Sequence, residues 1–327
     1  MSSQQMVRQW LSVKVISRRE EAQDILSFEL ADPAGRSLPP FGAGAHIDVE
    51  VNDGMTRQYS LCNHPGERHR YLVAVLKDPH SRGGSLALHE RLQEGDLINI
   101  SEPKNHFPLA AKAKKSMLFA GGIGVTPILC MAERLAQTGA DFEFHYCARS
   151  LGRMAFVERI QQSAFASKAY FHLDDGPDAQ KLDAKQVLGM PQPEVHLYVC
   201  GPTGFMDWIL TTANELGWPD EQVHREYFAA AAPATGLAAG EFDVQIASTG
   251  ETYRIPADKS ITESLRGQGI EIPTSCENGL CGTCLTRVLE GEPEHRDYFL
   301  TKKERALNDQ ILPCCSRARS AKLVLDL

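Results

Sequence analysis

Short runs of alternating apolar and polar residues fill residues 12–110, and turn sequences separate them. The runs are SVKVISR, DILSFEL, AHIDVEV, RQYSL, YLVAVL and DLINI, and the turns include DPAG, NDG, NHPG and EGD. Alternation with a period of two is typical of half-buried β-strands, and Gly, Pro, Asn and Asp favour the turns between them. The pattern predicts an antiparallel barrel or sandwich in this part of the chain.

From Ser116 the pattern changes to continuously apolar strands that alternate with helices. The candidate strands are SMLFA, FEFHYCA, AYFHL and VHLYVC, and the candidate helices are PILCMAERLAQ, MAFVERIQQ and GFMDWILTTANEL. Continuous apolar runs indicate strands that are buried on both faces. We therefore predict an α/β domain with a parallel sheet covered by helices.

A stretch of small residues, AAAAPATGLAAG at 229–240, follows and has no core-forming periodicity. We interpret it as a linker between domains. Residues 241–327 then contain the candidate strands FDVQIAS, ETYRIPA and AKLVLDL and a short helix near SITESLRGQG. The chain is long enough for two or three domains of ordinary size.

The amino-acid composition indicates a globular protein and argues against several classes of partner. The 327 residues are 43% hydrophobic and 23% charged, which is typical of a globular chain. The net charge of −8 comes without a long Lys and Arg block, so nucleic acid and anionic membrane are not expected partners. The sequence also has no apolar run near the roughly 20 residues that cross a bilayer and no secretory signal, and we expect a cytoplasmic protein.

Five of the nine cysteines lie in the last 52 residues, and they are Cys276, Cys281, Cys284, Cys314 and Cys315. Three of them have the spacing Cys-x4-Cys-x2-Cys, and 29 residues separate the third from Cys314. This is the ligand spacing of plant-type 2Fe–2S clusters. Gly279 and Gly282 would let the loop curl closely around the cluster. Zinc is the alternative, but its usual sites contain two CxxC pairs and this loop has one.

Spacing alone does not choose between Cys314 and Cys315 as the fourth ligand. The local sequence LPCCSRA resembles the ferredoxin ending in which the ligand precedes a serine by two residues. That resemblance selects Cys314 and leaves Cys315 as a packed neighbour.

Two further motifs fit a bound flavin phosphate. In RQYSL, at residues 57–61, period-two alternation places Arg57 and Tyr59 on one face, where Arg can clamp a phosphate and Tyr can pack against a planar ring. In SRGGS, at residues 81–85, two glycines and a hydroxyl precede the helix LALHERL. Such a helix start can bind an anion. A plain N-capping turn is the alternative for SRGGS.

Two glycine-containing turns follow predicted parallel strands, GGIGVTP at 121–127 and CGPTG at 200–204. Open α/β sheets bind ligands at the carboxyl ends of their strands, so the two turns together indicate a dinucleotide site. The loop after AYFHL carries Asp174 and Asp175, which would accept hydrogen bonds from ribose hydroxyls and repel a 2′-phosphate. These carboxylates favour NADH, and a solvated turn is the alternative.

Taken together, these motifs resemble those of the phthalate dioxygenase reductase family, within the ferredoxin reductase superfamily, over nearly the whole chain. The resemblance implies a multidomain protein with an FMN-binding antiparallel β-barrel at 1–113 and an α/β parallel-sheet NAD-binding domain at 114–228. The linker at 229–240 would then lead to an α+β plant-type 2Fe–2S ferredoxin domain at 241–327. The residues themselves admit FMN or FAD, and the resemblance implies FMN.

The resemblance also implies site residues. Those at the flavin phosphate and ring are Arg57, Tyr59, Ser60, Arg82, Gly84 and Ser85. Those at the nicotinamide coenzyme are Gly122, Gly124, Thr126, Asp174, Cys200, Gly201 and Pro202. Phe228 would lie against the flavin, with core packing as its alternative. Ser60 and Cys200 are the predicted catalytic residues, and the cluster ligands are Cys276, Cys281, Cys284 and Cys314.

The predicted function follows from electron counting. NADH delivers a two-electron hydride, FMN accepts it, and a 2Fe–2S cluster carries single electrons onward. By resemblance, the acceptor is a Rieske-type, non-haem iron oxygenase that acts on an aromatic acid or a similar small molecule. The alternatives are a reductase for another one-electron acceptor, such as a haem monooxygenase, and a flavin and iron–sulfur redox sensor.

Overall fold

The structure is a computed structural model that describes residues 10–52, 55–79, 83–228 and 240–327. The chain divides after Phe228 into two compact units, here called the first and second units. In the described ranges, no helix combines the length and the apolar character needed to cross a bilayer.

The first unit begins with a six-stranded antiparallel sheet in the order β4-β3-β6-β1-β2-β5. Its strands are β1 (Trp10–Ala22), β2 (Ile25–Ala31), β3 (His46–Asn52), β4 (Met55–Ser60), β5 (Tyr71–Leu76) and β6 (Leu97–Ser101), with helix α1 (Gly84–Arg91) between the last two. A bridge between Leu61 and Val73 joins the two edges of the sheet. The sheet therefore closes as a barrel around an apolar core that includes Phe28, Ile47 and Ile100.

The second half of the first unit is a five-stranded parallel sheet in the order β11-β10-β7-β8-β9. Its strands are β7 (Lys115–Gly121), β8 (Asp141–Ala148), β9 (Ala169–Leu173), β10 (Val195–Cys200) and β11 (Val223–Glu226). Its helices are α2 (Val125–Gln137), α3 (Val157–Gln161), α4 (Ala184–Leu188) and α5 (Thr203–Glu215). Separate apolar clusters, one with α2 and one with α4 and α5, cover the two faces of the sheet, as the continuous apolar runs predict.

Helix α3 is shorter than the predicted segment at 154–162. Its N-cap residue, Phe156, has a left-handed backbone with φ of 63°, and Met154 is extended. A helix cannot continue through a left-handed residue, so α3 begins only at Val157.

The second unit is an α+β fold. Its strands are β12 (Phe242–Ile246), β13 (Thr252–Ile255), β14 (Thr286–Glu290), β15 (Pro293–Glu294), β16 (Gln310–Ile311), β17 (Arg317–Ala318) and β18 (Lys322–Leu325). Five of them form a sheet in the order β13-β12-β18-β14-β16. Helices α6 (Ile261–Arg266) and α7 (Lys302–Leu307) both begin with capping boxes, which satisfy main-chain N–H groups of the first turn.

Candidate functional site

Arg57, on β4, lies against the start of α1. A Cβ added at Gly84 would be 2.8 Å from Arg57 Cγ, so the arginine stem packs directly on the glycine. Next to it, Ser85 Oγ accepts a hydrogen bond of 3.3 Å from the main-chain N–H of Asp78. The structure therefore brings together Arg57, Gly84 and Ser85, three of the residues assigned to the flavin phosphate. Arg82, a fourth, lies outside the described residues.

Tyr59 and Ser60 complete β4. The Tyr59 ring packs against the barrel core, and burial raises the pKa of its phenol, which keeps the group neutral. Ser60 Oγ donates a hydrogen bond of 3.1 Å to Glu226 Oε2, across 166 residues of sequence. Because Glu226 ends β11, this bond connects the barrel to the parallel sheet.

Glu226 lies opposite Cys200 in the register of β11 and β10. The Cys200 side chain is fully buried, and burial, reinforced by the neighbouring Glu226 carboxylate, raises the pKa of its thiol. Glu226 as a whole residue is only half-buried, but its carboxyl group lies deep enough that burial raises its pKa to about 8, against a lowering by the Ser60 bond. At neutral pH this site therefore presents a neutral thiol and a largely protonated carboxyl.

The role of Glu226 was not predicted from the sequence. It lies on a four-residue strand, VHRE, that contains one apolar residue, so periodicity does not reveal the strand. The sequence feature that could have indicated this role is a carboxylate two residues before Phe228. It becomes informative only once the sheet places it beside Cys200.

The two glycine-containing turns pack directly on each other. A Cβ added at Gly124 would be 2.2 Å from Cys200 O and 2.6 Å from Gly201 N, and one added at Gly201 would be 3.0 Å from Gly121 Cα. The turns end β7 and β10, which are neighbours in the sheet although β8 and β9 lie between them in sequence. The strand order reverses between these two strands, and such a switch point is where open α/β sheets bind nucleotides.

The other residues assigned to the coenzyme have different surroundings. Gly122 has φ of 51°, and a Cβ added there would meet no atom within 4 Å, so its face of the turn is open. Thr126 is buried, and its hydroxyl donates to Ile123 O at 3.1 Å, which stabilises the turn from within. Pro202 is an exposed residue at the N-cap of α5.

Asp174 and Asp175 follow β9 at the carboxyl edge of the sheet. Their main-chain N–H groups donate to Ala148 O at 3.0 Å and Arg149 O at 3.1 Å, which extends the pairing of β8 and β9. Both residues are exposed. The carboxylates therefore lie on the ligand-binding edge of the sheet, free of the core.

Phe228 is 38% exposed. The ring is therefore not part of the buried core, and its place against the flavin stays a prediction. The residue lies two positions after Glu226, at the end of the first unit.

In the second unit the four cysteine thiols lie together, and all four residues are buried. Cys276 contacts Cys281 and Cys314, and Cys284 also contacts Cys314. In these contacts the pKa of the thiol is lowered at Cys276 and Cys284 and raised at Cys281 and Cys314, chiefly because the thiols hydrogen-bond to one another. This grouping of four buried thiols suits iron, which binds cysteine as the thiolate.

The loop between the cysteines depends on its two glycines. Gly279 and Gly282 both have φ of 71°, and an added Cβ would be 2.4 Å from Cys315 Sγ at the first and 2.3 Å from the Phe299 ring at the second. The main-chain N–H of Asn278 donates to Cys276 Sγ at 3.4 Å. The loop therefore directs main-chain N–H groups at a ligand sulfur, as iron–sulfur sites require.

The arrangement of the thiols fits a two-iron cluster. A 2Fe–2S cluster takes two thiolates on each iron, and neighbouring pairs such as Cys276 with Cys281 and Cys284 with Cys314 suit that requirement.

The chain is similar in sequence and in fold to proteins that transfer electrons. The family of 2Fe–2S iron–sulfur cluster binding domains matches residues 244–319. A vanillate O-demethylase oxidoreductase from Pseudomonas putida is 59% identical over 96% of this chain and 98% of its own length. A phthalate dioxygenase reductase, described as a modular structure for electron transfer from pyridine nucleotides to 2Fe–2S, superimposes with a TM-score of 0.77 at 41% identity, over 97% of this chain and 98% of that chain. An intact type IV self-sufficient cytochrome P450 monooxygenase superimposes with a TM-score of 0.82 at 36% identity, over 97% of this chain and 41% of that chain.

Proposed function

We infer that this chain, since it belongs to the phthalate dioxygenase reductase family, oxidises NADH and delivers electrons singly to the oxygenase of a multicomponent system. One observation carries this inference. A single chain contains both a nucleotide crevice at a sheet switch point and a four-thiolate site in a domain of the 2Fe–2S family. The first suits a two-electron donor and the second a one-electron carrier.

FMN is the flavin that we assign to the barrel. Arg57 would bind its phosphate, together with Arg82, Ser85 and the main-chain N–H groups at the start of α1, because a guanidinium and a helix N-terminus both favour an anion. Tyr59 would pack beside the ring. When bound, FMN accepts two electrons as a hydride and releases them one at a time.

Ser60, Glu226 and Cys200 would line the meeting point of flavin and nicotinamide. The Ser60 bond to Glu226 holds the end of β4 against the end of β11, so it fixes the separation of the barrel and the parallel sheet there. Cys200, which is fully buried, would lie behind the nicotinamide ring as a neutral thiol and would add no charge there. The exposed ring of Phe228 would cover the flavin until the nicotinamide arrives.

NADH would bind across the two packed turns, with its pyrophosphate at Gly122 and Gly124 and near Gly201 and Pro202. Asp174 would accept hydrogen bonds from the adenosine ribose and would repel the 2′-phosphate of NADPH. Thr126 would act through the turn, since its hydroxyl is bonded to Ile123 O.

The terminal acceptor that we propose is a Rieske-type oxygenase acting on an aromatic acid. Relatives named for the O-demethylation of vanillate and the dioxygenation of phthalate support this choice, because both names contain an aromatic acid. A haem monooxygenase is the second candidate, supported by the likeness to a self-sufficient cytochrome P450. A redox sensor would differ from both in having negligible steady-state turnover.

Rapid mixing of the full chain with NADH tests the electron order. We expect flavin bleaching first and cluster reduction second, and steady oxidation of NADH only when an oxygenase is supplied. A fragment ending near Ala232 should bleach its flavin at a near-normal rate and fail to support the oxygenase. Full oxygenase turnover with that fragment would contradict the proposed order. Substituting purified Rieske and haem oxygenases in turn decides the class of acceptor.

A further inference from the structure

The second unit contains a buried carboxylate that the proposed electron route does not use. The side chain of Asp297 has 0% exposure. A buried ionised group is costly unless it is paired and hydrogen-bonded. The groups that pair with Asp297 therefore show which part of the fold it stabilises.

Asp297 begins a short segment that lies directly against the cysteine loop. A Cβ added at Gly279 would be 2.9 Å from Asp297 Cα, and the next main-chain N–H, that of Tyr298, donates to Gly279 O at 3.0 Å. The following residue, Phe299, places its ring against Gly282. Residues 297–299 thus support both glycines that shape the loop.

The Asp297 carboxylate fixes the conformation of this segment and connects it to the fourth cysteine. Oδ2 accepts a hydrogen bond of 2.8 Å from the main-chain N–H of Leu300, and Oδ1 accepts a weaker one of 3.5 Å from Ser316 Oγ. Ser316 lies two residues after Cys314. One side chain therefore joins the loop that carries three cysteines to the segment that carries the fourth.

Two basic side chains face this carboxylate. The Arg305 guanidinium, on α7, lies 3.6 Å from Asp297 Oδ2 and also donates to Asp297 O. His295 Nδ1 lies 3.6 Å from Oδ1, and both ring nitrogens of His295 are buried without a hydrogen-bond partner. Arg305 is 34% exposed, so it can be changed with little disturbance of the core. Asp297 and Arg305 together place opposite charges next to the segment that supports the cysteine loop.

We propose that Asp297 and Arg305 are positioning residues that together set the reduction potential of the 2Fe–2S cluster. Reduction adds one electron to the irons and so makes the net charge of the cluster more negative, which a nearby carboxylate opposes and a nearby guanidinium favours. The hydrogen bonds of Asp297 also hold the main-chain N–H groups of the loop in place. The inference rests on the cluster assigned under the proposed function and on no other step of that function.

Potentiometric titration of the full chain, followed by the cluster signal in electron paramagnetic resonance, tests the proposal without NADH or oxygenase. Asp297→Asn should raise the midpoint potential, because it removes the carboxylate charge and leaves Arg305. Arg305→Gln should lower the potential, and Arg305→Lys should restore it toward the wild-type value. The double variant should lie between the two single variants. Asp309→Asn, the same charge change at an exposed position of the same unit, should leave the potential unchanged.

Cluster retention provides a second measurement. In the presence of an iron chelator, Asp297→Ala should lose iron several-fold faster than wild type, whereas Asp297→Asn, which keeps an acceptor for Leu300, should resemble wild type. If Asp297→Asn fails to hold the cluster, the proposal is tested by the midpoint potentials of Arg305→Gln, which should be lowered, and of Arg305→Lys, which should be close to that of wild type. Unshifted potentials, or shifts in one direction for both single variants, would overturn the proposal. Absence of iron and sulfide from the wild-type chain would instead overturn the proposed function.

Discussion

The cysteine loop of the second unit and the nucleotide crevice of the first unit are assembled in opposite ways. Three of the four cysteines lie within residues 276–284, so a single loop supplies most of the site. The crevice combines β4, β7, β10 and β11, and its Ser60 and Glu226 are 166 residues apart. A local site is visible in sequence spacing, whereas a distributed site depends on sheet topology.

Glycines serve both sites, but under different constraints. Gly124 has an ordinary backbone, with φ of −61°, and is required only because Cys200 O leaves no room for a Cβ. Gly279 and Gly282 are constrained twice, by lack of room and by a left-handed backbone. We therefore expect the cysteine loop to tolerate less change than the crevice.

Loss of a cluster ligand should have the largest effect. Replacing Cys276, Cys281, Cys284 or Cys314 with Ser should abolish or destabilise the cluster, while flavin binding and flavin-level NADH oxidation persist because their motifs lie in the first unit. Cys315→Ser should be mild. Iron and sulfide analysis with a visible spectrum measures this. The ligand assignment is wrong if Cys315→Ser removes the cluster and Cys314→Ser does not.

An added methyl group in the crevice should have the next largest effect. Gly124→Ala would place its Cβ 2.2 Å from Cys200 O, so the two turns must separate. We expect a loss of stability of about 1–3 kcal/mol, typical of overpacking, and NADH-dependent flavin bleaching slowed at least tenfold. Gly204→Ala is the matched control, because a Cβ there meets no atom within 4 Å. Equal rates in the two variants would show that the turns need not touch.

Glu226 should make stability depend on pH. Its folded pKa of about 8 lies above the usual value of 4.5, so between these values the folded chain holds a proton that the unfolded chain has released. Rising pH therefore favours unfolding, by at most about 1.4 kcal/mol for each pH unit, until the carboxyl ionises in the folded state. Calorimetric Tm values at pH 5, 6.5 and 8 should fall less steeply in Glu226→Gln than in wild type. Equal falls of Tm with pH in the two proteins would contradict the raised pKa of Glu226.

Coenzyme choice should show the smallest effect. The exposed Asp174 should make kcat/KM for NADH roughly tenfold or more above that for NADPH, because a carboxylate repels the 2′-phosphate. Asp174→Ala should reduce this preference, and Asp178→Ala, an exposed carboxylate further along the loop, should leave it intact. A wild-type preference for NADPH would refute the role of Asp174.

Much of the fold could be predicted because its strands are strongly patterned. Alternation marked the barrel, and continuous apolar runs marked β7, β8 and β10. The short, polar β11 had no such pattern, and the late start of α3 depends on the backbone of Phe156, which periodicity does not reveal. In the described residues, one continuous six-stranded sheet closed by the bridge between Leu61 and Val73 distinguishes this barrel from a sandwich.

The residues of the candidate site also form two groups, those that a sequence pattern reveals and those that only the folded structure reveals. Spacing identified the cysteines, and strand ends identified the two turns. Glu226 and Asp297 could not be predicted because each contacts a partner that is distant in sequence. Glu226 accepts a hydrogen bond from Ser60, and Asp297 packs against the loop at Gly279. Such partners are known only when the chain has folded.

The position of β18 in the second unit bears on how this protein is made. This strand lies between β12 and β14, pairing parallel with the first and antiparallel with the second. It is synthesised after the other described strands of the unit, so a nascent chain that already displays all four cysteines still lacks the centre of its sheet. Iron insertion should therefore follow the synthesis of β18. Deleting residues 322–327 should yield a chain that retains every thiol and still fails to acquire iron.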